Sequence, residues 1–190
     1  MTAKEALHRL MEGNNRFLTA EKEIGDISMN RRRDSAKEGQ NPFAIIITCA
    51  DSRVIPEAVF QCGIGDLFVI RVAGNVIGSH ELGSIEYAAE HLGTRLIMVL
   101  GHTGCGAVAA ALKGEQDGHI RFLTDEIRLA IGTEKDLVKA AERNVKRGVV
   151  RIQEKLIHDM EHAEEIETVG AIYDLATGEV RLIQQEQEAI

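Results

Sequence analysis

The sequence contains no tryptophan, only two prolines, and few aromatic residues of any kind, 4% in all. No apolar run approaches the roughly 20 residues that a membrane helix needs, so no membrane partner is expected. Basic residues are outnumbered: 22 Lys and Arg face 30 Asp and Glu, for a formal net charge of -8. That balance argues against broad nucleic-acid binding, which requires a basic surface. The opening "MTAKEALHRLMEGNNRF" lacks the apolar stretch of a secretion signal and reads as an amphipathic helix, so a cytoplasmic location is expected. Cysteine is scarce and odd in number: Cys49, Cys62 and Cys105. Three thiols in a reducing compartment do not make a disulfide framework, and metal binding or catalysis is the readier use.

What is present suits one domain with a real core: 190 residues, of which 44% are apolar and 27% charged. A helix is expected over residues 2–19, where Ala6, Leu7, Leu10, Met11 and Phe17 recur near a period of 3.6. Residues 20–41 are polar and read either as a solvated connector or as an arm that packs on a partner subunit. The runs "FAIIIT" (43–48), "LFVIRV" (67–72) and "RLIMVL" (95–100) are short and continuously apolar, as in strands buried on both faces. Pro56 suits the start of a short helix. Ser79 is a candidate N-cap for a helix from Glu81 to His91, which Gly93 ends. A Gly-rich turn opens a helix over 104–113.

Residues 133–162 read as a long helix with Leu137, Ala141, Val145, Val149, Ile152 and Leu156 as its apolar stripe. Gly148 lies inside it, where a kink is allowed. "TVGAIYDLATGEVRLI" reads as strand, turn and strand. The expected fold is α/β: a mostly parallel central sheet of four parallel strands plus an antiparallel edge strand, flanked by helices, with an N-terminal helical arm.

In such sheets functional groups gather at the carboxyl ends of parallel strands. The first apolar run ends in "TCADSR" and the third in "GHTGC". If those strands are neighbours, the Cys49 thiol meets the His102 imidazole. Cys105 follows His102 by three residues where a helix begins, so both side chains can share a face. One His and two Cys form an ordinary zinc ligand set. A structural zinc site closes with four protein ligands, so the fourth place here falls to water or to Asp51. The plainer alternative is that these thiols are small hydrophobes at strand ends. Cys62 has no partner in the scheme and reads as a packing thiol, and His80, His91 and His119 read as surface or packing residues.

Those residues also carry a resemblance. "CADSRV" (49–54) and "GHTGCGA" (101–107) resemble the two signature motifs of the β-class carbonic anhydrases. "PFAIIITCADSR", "GDLFVIRVAGNV", "GSIEYAAEHLG" and "IMVLGHTGCGAV" fall in the family's order and spacing, and "VGAIYDLATGEV" is similar to its terminal hairpin. The resemblance covers most of residues 40–183. It implies an enzyme with one Zn2+ per chain that interconverts CO2 and bicarbonate by attack of zinc-bound hydroxide. Cys49, His102 and Cys105 would be the metal ligands, and Asp51 with Arg53 the dyad beside the metal. Gln40, Phe68 and Tyr87 match residues that line the substrate pocket in some relatives, where the glutamine reaches across a dimer interface. Val54, Ala73 and Gly106 are further expected pocket residues. A homodimer or homotetramer is implied, with residues 1–41 packing on the partner.

Two departures stand out. Val72 replaces a residue that is polar in many relatives. Ile46 takes the place of a tryptophan that frames a non-catalytic bicarbonate site in some allosteric relatives, so the active arrangement, with Asp51 off the metal, is expected.

The chemistry explains the choice of residues. Zinc acidifies bound water from ~15.7 to about 7 in a three-histidine site. Two thiolates and a neutral imidazole leave the unit formally neutral, which acidifies water less and favours an alkaline optimum. Asp51, kept ionised by Arg53, can only accept a hydrogen bond, and so would orient the hydroxide toward CO2. Released from Arg53, Asp51 could ligate zinc as a fourth ligand and switch the site off. Rival readings are hydrolysis of carbonyl sulfide or carbon disulfide at the same zinc, a non-catalytic zinc-stabilised subunit, and a thiol redox protein.

Overall fold

The computed structural model describes residues 1–19, 25–156, 160 and 162–184. Its elements are α1 (Ala3–Leu18), α2 (Met29–Glu38), β1 (Ala44–Thr48), α3 (Pro56–Val59), β2 (Leu67–Arg71), α4 (Ser79–His91) and β3 (Leu96–His102). They continue with α5 (Gly106–Lys113), α6 (Arg121–Ile131), α7 (Leu137–Lys155), β4 (Glu167–Tyr173) and β5 (Val180–Leu182). The five strands form one sheet in the order β2-β1-β3-β4-β5. β1 pairs parallel with β2 and β3, and β3 pairs parallel with β4. β5 runs antiparallel to β4. The expected four parallel strands and antiparallel edge are all present.

The continuous apolar runs are explained by cover on both sides of the sheet. Alternate side chains point to opposite faces. Ala44, Ile46, Leu96 and Met98 belong to one core cluster with Ala6 and Leu10 of α1. Ile45, Ile47, Ile97 and Val99 belong to another with Ile85 of α4 and Val145 of α7. Each fully buried Ile or Leu removed from water contributes roughly 1.5–3 kcal/mol, which makes these central strands the rigid base of the molecule.

α1 is capped by Thr2, whose hydroxyl accepts from Glu5 N–H while the Glu5 carboxylate accepts from Thr2 N–H at 2.8 Å. Its apolar face is buried within its own chain. α2 buries no residue, so the proposal that the N-terminal arm packs on a partner rests on α2.

Several local expectations are corrected. Residues 29–38, within the segment expected to be a solvated connector or a partner-packing arm, form a helix capped by the Ser28 hydroxyl; the helix has no apolar stripe to announce it. The N-cap of α4 is Gly78, not Ser79, and its N–H donates to Glu81 Oε2 at 2.8 Å. The long helix starts at Leu137, with Asp136 as its cap. Its expected end falls partly on residues 157–159 and 161, outside the described residues, as do residues 20–24 of the polar segment. Gly148 makes no break in α7, which runs unbroken from Leu137 to Lys155. Its missing side chain serves packing instead, because a Cβ there would lie 3.2 Å from Val99 Cγ1 of β3. Helix α6 was not foreseen.

Candidate metal centre

β1 and β3 are neighbours in register, with Thr48 opposite Leu100. The Thr48 hydroxyl donates to the Leu100 carbonyl at 2.9 Å, which ties together the two strand ends. Cys49 follows directly on β1, His102 is the last residue of β3, and Cys105 is the N-cap of α5. One ligand atom from each lies within 4.8 Å of the other two, and all three residues are buried. The three cysteines are free thiols.

The donor set fits zinc. Cys49 Sγ and Cys105 Sγ are 4.0 Å apart. Two sulfurs on a tetrahedral ion at about 2.3 Å each would be about 3.8 Å apart. His102 Nδ1 lies 2.9 Å from the Thr103 carbonyl, which selects the tautomer carrying its proton on Nδ1. Nε2 is left as a buried nitrogen with no hydrogen-bond partner among the described residues, which is the atom a metal would take. The Thr103 turn is itself fixed: its N–H donates to the Tyr173 carbonyl and its hydroxyl accepts from Leu175 N–H, both at 3.0 Å.

Asp51 stands at the edge of this cluster. Its Oδ2 is 3.9 Å from His102 Nε2, yet both carboxylate oxygens are engaged by Arg53. Oδ1 accepts from the Arg53 backbone N–H and from Nε, each at 2.9 Å, and Oδ2 accepts from Nη2 at 2.7 Å. These bonds hold the Asp51 carboxyl well below the usual carboxylate range, against the opposing effect of burial. Asp51 is therefore ionised and turned toward Arg53.

The three candidate ligands tune one another. The contact with Cys105 pushes the Cys49 thiol down, helped by the Gly74 N–H, and pushes Cys105 up, so Cys49 gives up its proton first. Burial opposes protonation of His102, but Cys49 and the Thr103 carbonyl outweigh it and the net shift is upward. Cys62 lies apart, buried in the α1-side core, and burial pushes its thiol up to about 12.

The remaining expected site residues are more dispersed. Val54 is fully buried in the core cluster that holds Ile46 and Phe60. Ala73 opens the turn after β2, and Gly106 is the exposed first residue of α5. Phe68 lies opposite Ile45 within β2, with its ring centroid 6.2 Å from that of Tyr87. Tyr87 is 47% exposed on α4, and Gln40 is exposed just before β1. Among the described residues, no hydrogen bond, ion pair or ring contact joins Gln40, Phe68 or Tyr87 to the three ligands. His91 packs on Tyr87 and His119 on Phe122.

The sequence reading passed over two residues at the site. Arg71, at the end of β2, donates to the Asp51 carbonyl at 2.7 Å and the Cys49 carbonyl at 3.3 Å, clamping the ligand loop. Gly74 donates its N–H to Cys49 Sγ at 3.3 Å. Both lie in the "RVAGN" stretch, whose signal was a strand ending in a charge followed by a glycine turn.

Comparison with known proteins places this centre in a family. The model of the family described as carbonic anhydrase matches residues 44–180. Carbonic anhydrase 2 of Mycobacterium tuberculosis is 51% identical over 109 residues, 57% of this chain and 52% of that protein; the matched stretch is thus about half the length of that relative. The carbonic anhydrase of Mycolicibacterium smegmatis is 37% identical over 185 residues, 91% of this chain and 89% of that one. Among solved structures, the β-carbonic anhydrase CafA of Aspergillus fumigatus superposes with a TM-score of 0.74 at 29% identity, covering 84% of each chain. This chain belongs to the carbonic anhydrase family, in its β class.

Proposed function

We propose that this chain catalyses the reversible hydration of carbon dioxide to bicarbonate and a proton, with one Zn2+ per chain held by Cys49, His102 and Cys105. The observation that carries the reading is the convergence of two sulfurs and an orphaned, buried imidazole nitrogen beside a carboxylate that Arg53 restrains. When bound, the ion would act as a Lewis acid that makes hydroxide available near neutral pH.

The chain's own groups do the rest. Asp51, ionised and directed by Arg53, accepts a hydrogen bond from the nucleophile's O–H and leaves a lone pair facing the carbon of CO2. Neutral His102 is held in the required tautomer by Thr103. Arg71 keeps the Cys49–Asp51 loop in place through two carbonyls. Restraint of Asp51 by Arg53 keeps its oxygens from taking the fourth ligand place, and loss of that restraint would give the inactive form.

The chain is proposed to act as a cytoplasmic homodimer or homotetramer. Among the described residues β2 has a strand neighbour on one side only, and its side chains are half-buried or exposed. Phe68 and the exposed ring of Tyr87 lie on this edge, so a second copy docked there would cover them and bring them, with Gln40, toward a substrate pocket. No helix among the described residues is long and apolar enough to cross a membrane.

Stopped-flow CO2 hydration, measured with metal content from mildly acidic to alkaline pH, tests the reading. One zinc per chain with turnover rising toward alkaline pH supports it. Zinc without turnover would point to the non-catalytic subunit, and sulfide release from carbonyl sulfide without CO2 hydration to the rival hydrolase.

A further inference from the structure

Helix α7 turns a buried face of small and apolar residues to the sheet, and among them Asn144 is the one polar side chain. It is 6% exposed and sits between Ala141, Val145 and Gly148. A buried amide without partners costs about 1–3 kcal/mol, so its presence in this stripe calls for a specific bond. That bond runs to the turn after β2: Asn144 Nδ2 donates to the Gly74 carbonyl at 2.7 Å.

Gly74 is held in an unusual way. Its φ is +71°, in the left-handed region that favours glycine. An added Cβ would meet Ile127 Cδ1 of α6 at 2.7 Å and Ala107 Cβ of α5 at 3.0 Å. The residue is therefore wedged against two helices, and its N–H points at Cys49 Sγ, 3.3 Å away. One end of the residue is pinned by Asn144 and the other meets a metal ligand 25 residues earlier in the chain.

We propose, resting on the zinc reading above, that Asn144 is a positioning residue for the metal centre, holding Gly74 so that its N–H donates to the Cys49 sulfur. An N–H donor on a thiolate withdraws charge from the sulfur and fixes the direction of its lone pairs. Both effects set how the ligand meets a metal, and loss of such outer partners typically weakens metal binding 10–100-fold. Asn144 touches neither substrate nor metal. Its effect passes through the Gly74 backbone, and α7 thereby couples its packing on the sheet to the ligand loop.

The test compares Asn144→Leu, similar in size and without a donor, with Asn144→Ala and with Val149→Ala on the same buried face. Zinc affinity is read by competition with a chelator, and the thiolate-to-metal charge-transfer band by Co2+ substitution. Both Asn144 variants are expected to weaken zinc binding about tenfold and to shift the cobalt band. Val149→Ala is expected to lower the melting temperature while leaving affinity and band as in the parent. If Asn144→Leu fails to fold, Asn144→Ala carries the comparison. Parent-like affinity and band in the Asn144 variants would overturn the proposal, as would equal loosening by Val149→Ala. A parent protein that binds no zinc would overturn the zinc reading, and the proposal with it.

Discussion

Arg53 grips both oxygens of Asp51, with Nε donating to Oδ1 at 2.9 Å and Nη2 to Oδ2 at 2.7 Å. This two-pronged geometry fixes the direction of the carboxylate as well as its charge, since a guanidinium matches a carboxylate bidentately. The first prediction concerns that restraint. Asp51→Asn should retain zinc and lose most turnover, by a factor of about a hundred or more, the range typical of losing one preorganised hydrogen bond at the reacting group. Arg53→Gln should also retain zinc and lose activity, because its freed Asp51 lies 3.9 Å from His102 Nε2, near enough to swing onto the metal. Metal-edge spectra of Arg53→Gln should then report a second oxygen or nitrogen donor from the protein, beside His102. Full turnover in either variant removes the orienting role.

A second prediction follows from the donor atoms. Cys49→Ser and His102→Ala should lose zinc and activity together, and a strong chelator should inactivate the parent reversibly. Acid should have the same effect, since two thiolates and a neutral imidazole bind metal only when deprotonated, so affinity falls with pH. Cys62→Ala is the internal control, because Cys62 lies in a separate core cluster and should leave zinc content unchanged. Metal analysis of the purified variants decides the matter; a zinc-loaded His102→Ala protein would exclude the assigned ligand set.

The central strands and the candidate ligand cluster were legible because their physics is local. β1 and β3 are buried on both faces and so are written as uninterrupted apolar runs, and polar or reactive residues at their ends stand out at once. The structure adds what long-range contact decides. α2, "MNRRRDSAKE", carries no apolar face, so nothing in its pattern distinguished it from a connector. α6 had a readable signal, Leu123, Ile127 and Ile131 at intervals of four, but its short apolar row lies among charges. Asn144 was hidden for the opposite reason: a polar residue in an apolar stripe looks like a tolerated exception until its partner, 70 residues away, is seen. Gln40, Phe68 and Tyr87 entered by resemblance alone, and the proposal that they line a pocket rests on a second chain.

A third prediction concerns the attachment of α1. Asn14 is 1% exposed and makes three bonds to other elements. Its Nδ2 donates to the Gly178 carbonyl at 2.9 Å and the Val59 carbonyl at 3.3 Å, and its Oδ1 accepts from Val180 N–H at 2.9 Å. One side chain thus ties the first helix to the β4–β5 turn and to the end of α3. Asn14→Leu should destabilise the fold by about 2–4 kcal/mol, because three buried backbone groups lose their partner. Urea unfolding of the zinc-loaded protein measures this. A change below about 0.5 kcal/mol would mean that the N-terminal helix is held by Leu10 and its apolar neighbours alone.

The last prediction uses the thiol the metal does not need. Cys62 is 3% exposed, and burial, aided by the nearby Asp66 charge, pushes its thiol up to about 12. An unfolded cysteine titrates near 8.5. Between those values the folded chain holds a proton that the unfolded chain has released, so stability falls as pH rises. The contribution is fully present below about pH 8.5 and is lost progressively above it, by about 2 kcal/mol over the first 1.5 pH units. Cys62→Ala should cost stability at neutral pH through the lost sulfur packing, yet lose less of it on going to pH ~10. The two urea-midpoint curves should therefore converge with rising pH. Other titrating groups are shared by both proteins and cancel in the comparison. Parallel curves would show that the Cys62 environment gives up its proton as readily as water does, and that the α1-side core is open to solvent at this point.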